Sequence, residues 1–116
     1  MKYHEIFKET KFEKAMKLSD EEFRRLCGYT KRTMSEMVSI LREAYSLKHK
    51  RRGRHSKLDV SDMLMLACKY WREYVTYFSL ANEYGVAEST AHDITVWVEN
   101  VLIKSGKFGL PGKKNS

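Results

Sequence analysis

The chain has 116 residues, 42% hydrophobic and 32% charged, which is the balance of one soluble globular domain and too short for a two-domain enzyme. Lys and Arg number 22 against 15 acids, and the excess sits in one half: residues 1–58 carry a net +8 and residues 59–116 a net −1. That asymmetry points to a polyanionic partner. The longest uncharged run, Tyr74 to Asn82, excludes a membrane helix, which needs about 20 apolar residues.

The first residues, MKYHEIFKETK, alternate charge with apolar side chains and form no signal-peptide core, so a cytoplasmic protein is expected. Cys27 and Cys68 then read as reduced, buried small hydrophobes. Few breakers interrupt the chain, with one proline and six glycines, and the apolar spacing is helical throughout. The expected architecture is all-α, with four to five helices.

Residues 1–17 read as an arm or a short helix. A helical pair follows over 18–47. Ser19 and Glu22 have capping-box spacing, Leu18 is placed to staple onto Phe23, and Gly28 supplies the left-handed stop. Thr30 caps the next helix, whose buried face is Met34, Met37, Val38, Leu41, Ala44 and Tyr45. Residues 48–57, KHKRRGRHSK, contain six Lys/Arg, two His and no acid, which reads as a basic linker or arm because like charges repel along a helix.

A bundle is expected over 58–106. Leu58, Asp59, Asp62 and Met63 repeat the cap-and-staple pattern, and Val60, Met63, Leu64, Ala67, Tyr70, Trp71 and Tyr74 give one apolar face. Thr76 caps a helix from Tyr77 to Tyr84 that Gly85 ends. The last helix starts near Glu88, buries Ala91, Ile94, Trp97, Val98, Val101 and Leu102, and closes at Gly106. Residues 107–116, rich in Gly, Pro and Lys, read as a flexible tail or a connection to something larger.

Residues 77–96 fit the helix-turn-helix template. Ala81 is the small residue at a helix crossing, Gly85 tolerates the turn, Val86 fills the slot after it, and Ala91 and Ile94 pack the second helix onto the first. An ordinary helix hairpin with a Gly turn has the same spacing. If the second helix enters the major groove of DNA, its outward residues are Ala87, Glu88, Ser89, His92 and Asp93. Ser89, Thr90 and the free amides at the helix start can hold a phosphate or a base edge.

Between Tyr74 and Ile103 there is no Lys or Arg, while Glu83, Glu88, Asp93 and Glu99 sum to −4. Positive charge must then come from Lys48, Lys50, Arg51, Arg52, Arg54 and Lys57, with Lys31, Arg32 and Arg42 adding phosphate contacts. Arg52-Gly53-Arg54 has the core of a minor-groove hook without its flanking prolines; a solvated basic linker has the same composition.

The segment Leu58 to Leu102 also resembles the helix-turn-helix region of DDE-type insertion-sequence transposases. The resemblance runs through Gly53-Arg54, Ser56-Lys57-Leu58, Trp71-Arg72-Glu73-Tyr74, Thr76 to Ala81, and Gly85-Val86-Ala87-Glu88-Ser89-Thr90. It implies a partner in double-stranded DNA, specifically the ends of an insertion element. A homodimer, or the catalytic half of a transposase, is a further possible partner. No cofactor or metal is expected, because the four histidines and two cysteines have no ligand spacing. In that family a ribonuclease-H-like domain with three metal-binding acids follows; the seven acids after residue 58 all fall on or beside helices of the small domain, so no cutting activity is expected here. A protein-interaction module acting as a truncated regulator of transposition is the alternative.

Overall fold

A computed structural model describes residues 9–48 and 58–108 of the chain. Six helices follow one another, and no strand occurs among the described residues: α1 Lys11–Met16, α2 Asp20–Cys27, α3 Lys31–Lys48, α4 Val60–Glu73, α5 Tyr77–Tyr84 and α6 Glu88–Ser105. The all-α expectation holds. Within the N-terminal segment Lys11–Met16 form a short helix, so the described residues hold six helices where four to five were expected.

The starts of five helices are fixed by side-chain caps. Thr10 and Glu13 form a capping box on α1, as Ser19 and Glu22 do on α2. The hydroxyls of Thr30 and Thr76 accept from the amides of Thr33 and Ser79, at 3.1 and 3.0 Å. Asp59 accepts from Ser61 N at 2.9 Å and also from both terminal nitrogens of Arg42, at 3.2 and 3.1 Å. This bidentate pair closes the chain between α3 and α4 and occupies the guanidinium that the sequence offered to phosphate.

Asp62 departs from its expected role. It does not reach back toward Asp59. Buried to 8% exposure, it accepts from the amides of Lys11 at 3.3 Å and Phe12 at 3.0 Å. The first two amides of α1 are thereby satisfied by a residue fifty positions away, and α1 is docked onto α4.

The core is built around α4, eight of whose fourteen residues are buried. Helix α3 lies antiparallel to it, since Met34 meets Cys68 (sulfurs 3.9 Å apart) while Arg42 meets Asp59. Phe23, Met34, Met37, Leu41, Leu64, Leu66, Leu80, Val98 and Leu102 are fully enclosed. Both cysteines pack there against methionine sulfur, Cys27 on Met65 at 3.8 Å. Burial pushes the Cys27 thiol up to about 11 against the opposing pull of Arg72, and it moves Cys68 the same way. Neither is a thiolate near neutral pH, so neither is a nucleophile there.

Tyr74 is the clear exception to the sequence reading. Expected on the buried face of α4, it is instead 91% exposed. The helix ends at Glu73, and Tyr74 takes a left-handed conformation at φ 54°, the one non-glycine residue with positive φ among those described. This reversal aims the chain from α4 into α5 and turns the tyrosine outward.

Candidate nucleic-acid interface

Helices α5 and α6 pack as the template requires. Leu80, Ala81 and Tyr84 are buried on α5, and Ala91, Ile94, Thr95, Val98 and Leu102 on α6. The amides of Gly85 and Val86 both return to the Ala81 carbonyl, and Gly85 sits at φ 71°. That left-handed glycine turns the chain sharply enough for α6 to cross α5 at the small Ala81 side chain. Thr95 is buried without penalty because its hydroxyl donates to the Ala91 carbonyl at 3.0 Å.

One face of α6 is therefore committed to α4 and α5, and the other is left to solvent. Ala87, Glu88, Ser89, Thr90, His92 and Asp93 are all exposed at its start. Ala87 supplies no side-chain cap, so the first amides of this 18-residue helix point outward without a side-chain acceptor on the cap residue. Glu88, Ser89, Thr90 and His92, singled out in the sequence, are thus all exposed in the first turns of α6.

His92 is oriented as well as exposed. Tyr70 stacks on Tyr77 with ring centroids 4.4 Å apart, and the Tyr77 ring meets His92 edge-on at 5.2 Å. Its Nδ1 lies 3.3 Å from Asp93 Oδ1. An aromatic column from α4 through α5 thus holds one side of the imidazole and leaves the rest to solvent. Burial, followed by the Tyr70 hydrogen bond and the nearby Glu99, drives the Tyr77 phenol well above its ordinary range, so it stays neutral.

Two of the four carboxylates of this region are engaged by α4. Glu83 pairs with Lys69 at 2.8 Å, a hydrogen bond that raises the lysine pKa and keeps it charged. Glu99 accepts from the Trp71 indole at 2.7 Å. Only Glu88 and Asp93, of the four carboxylates between Tyr74 and Ile103, stand on the outward start of α6.

The basic residues fall into three groups. Lys48, read as the beginning of the linker, is the last residue of α3, its ammonium 5.8 Å from the Trp97 ring centroid. Lys50, Arg51, Arg52, Arg54 and Lys57 lie outside the described residues. Lys31 is tied back to the Leu18 carbonyl and sits 3.6 Å from Asp20. Sequence reasoning missed Arg24, Arg25 and Arg72, which meet Lys31 and Arg32 only in the folded chain. It also missed the exposed aromatic pair Tyr74 and Phe78 at the entry to α5. Among the described residues no three His, Cys, Asp or Glu side chains gather to hold a metal, and no helix is long and apolar enough to cross a membrane.

Two short-turn helices crossing at a small residue, with a polar and exposed second-helix start over an apolar base, define a helix-turn-helix domain. Residues 56–108 match the family described as helix-turn-helix of DDE superfamily endonuclease. A probable transposase for insertion sequence element IS702 from Microchaete diplosiphon is 39% identical over 104 residues, covering 90% of this chain and 37% of that protein. The chain spans little more than a third of the length of this relative. No solved structure matches it.

Proposed function

We propose that the chain is the DNA-binding part of a transposase: it recognises the ends of an insertion element and does not itself cut DNA. The observation that carries this reading is the start of α6, where Glu88, Ser89, Thr90 and His92 are all exposed while Ala91, Ile94, Thr95, Val98 and Leu102 are buried. Set into a major groove, Ser89 and Thr90 hydroxyls and uncapped amides reach phosphate or base edges, and Glu88 can accept from cytosine N4. The aromatic column behind His92 limits its rotamers, which favours selective over adaptable contact.

Selection from a random duplex library at low and moderate salt tests this directly. One enriched motif that survives moderate salt is expected, and Ser89→Ala combined with His92→Ala should change the preferred motif more than the overall affinity. A preference unchanged by the double variant removes α6 as the reader. The second reading, a protein contact with another protomer or a catalytic half, is favoured by the exposed Val96 and Ile103 on α6 and by the lack of any Lys or Arg from Val75 to Leu102. Duplex retention only at low salt, without enrichment, would support it.

A further inference from the structure

Arg24 and Arg25 on α2, Lys31 and Arg32 at the start of α3, and Arg72 near the end of α4 line one open groove of about 780 Å³ that also includes Gly28 and Thr30. Five cations face two carboxylates there, Asp20 and Glu21. Helix α3 adds no acid in its first turn. The Arg72 guanidinium is held in place by donating to the Arg25 carbonyl at 2.9 Å. It lies so close over Gly28 that a Cβ at this position would meet Nη1 at 2.8 Å. Glycine is thus required both by φ 91° and by the seat of the arginine.

Among the described residues this charge is only partly compensated. Arg24 and Arg25 are exposed and form no ion pair among the described residues. Arg32 approaches Glu36 only to 3.9 Å between two largely exposed side chains, a pair of little energetic weight. Holding like charges this close costs repulsion that an anionic partner removes. Arginine forks suit phosphate oxygens, and four of the five cations are arginines.

The position relative to the helix-turn-helix selects the partner. Arg72 precedes Tyr77, the start of α5, by five residues, which is at most about 18 Å of chain and comparable to the width of a DNA groove. In helix-turn-helix docking the first helix crosses the sugar–phosphate backbone. We propose that this groove seats the phosphate backbone of the duplex engaged by the helix-turn-helix, supplying from α2, α3 and α4 the positive charge that α5 and the first turns of α6 lack. The proposal rests on the DNA-binding reading above.

The test uses the full 116-residue chain and a mixed-sequence duplex, with binding followed by fluorescence anisotropy across a salt series. Combined Arg24→Gln, Arg25→Gln and Arg32→Gln should lower the slope of log K against log salt by about 2 to 3 units, since each phosphate contact contributes about 0.9. Affinity should fall at least about tenfold at moderate salt. A matched variant with Lys14, Lys17 and Lys107 changed to Gln removes the same charge outside the groove and should alter the slope much less. All six side chains are exposed, so circular dichroism should show an unchanged helix content for both variants. An unchanged slope in the arginine variant, or equal effects in the two variants, overturns the groove while leaving the helix-turn-helix reading intact. A wild-type chain that binds no duplex at low salt overturns both.

Discussion

Asp62 shows how much one buried carboxylate can organise. By accepting from the amides of Lys11 and Phe12 it completes the start of α1, a helix of six residues that is too short to persist unaided. Asp62→Ala should cost about 2–3 kcal/mol in urea unfolding, since two helix-start amides lose their acceptor and α1 loses its dock. A loss below about 0.5 kcal/mol would show that water replaces the carboxylate freely. Asp59 acts differently. Burial opposes its charge, but hydrogen bonds from Ser61 and Arg42 outweigh that and hold its pKa below the ordinary value. Because folding lowers this pKa, the contribution is present in full above about pH 4, the unfolded value, and is lost as pH falls through the folded one. Asp59→Asn should therefore destabilise by up to about 1 kcal/mol at pH 7, a modest figure because the pair is partly exposed, and the gap from wild type should narrow as pH falls below about 4. Melts across a pH series from 7 downward separate this from an effect on packing, which would persist in acid.

At the scale of the element, α6 is the one helix after α1–α5 that begins without a side-chain cap. Ala87 has the extended φ and ψ of a cap residue, −73° and 155°, so serine fits there without rearrangement. Ala87→Ser should raise stability by about 0.5–1 kcal/mol, measured by thermal unfolding, and should weaken duplex binding if the free amides meet phosphate. Stabilisation with unchanged binding would place the phosphate elsewhere. The turns separate two glycine roles. At Gly85 a Cβ finds nothing within 4 Å, so Gly85→Ala should cost about 1 kcal/mol for backbone strain alone. Gly28→Ala should cost more, because the Arg72 guanidinium must move as well.

For the whole molecule the governing fact is the separation of charge from the reading helix. The helix-turn-helix has no Lys or Arg from Val75 to Leu102, and arginines and lysines gather on α2, α3, the end of α4 and residues 48–57. Changing Arg51, Arg52 and Arg54 to Gln should weaken binding to all duplexes alike and flatten the salt slope by about 3 units, leaving the preferred motif unchanged. A shift in the preferred motif would instead make residues 48–57 part of the sequence readout, in the manner of a minor-groove arm.

What the sequence determined was local. Capping residues, the spacing of Met34, Met37, Val38 and Leu41, and the pairing of Ala81 with Gly85 each act over one or two turns, where periodicity and backbone preference decide the outcome, so helix limits and the outward side of α6 were legible in advance. The tertiary structure decided everything that depends on residues distant in the chain. Asp62 leaves its own helix to cap α1, Arg42 gives its fork to Asp59, Glu83 is paired with Lys69, Glu99 accepts from the Trp71 indole, and Arg72 is laid across Gly28 beside Arg24 and Arg25. Tyr74 belongs with them. Its periodicity says buried, and the need to turn α4 into α5 around a packed core puts it in water.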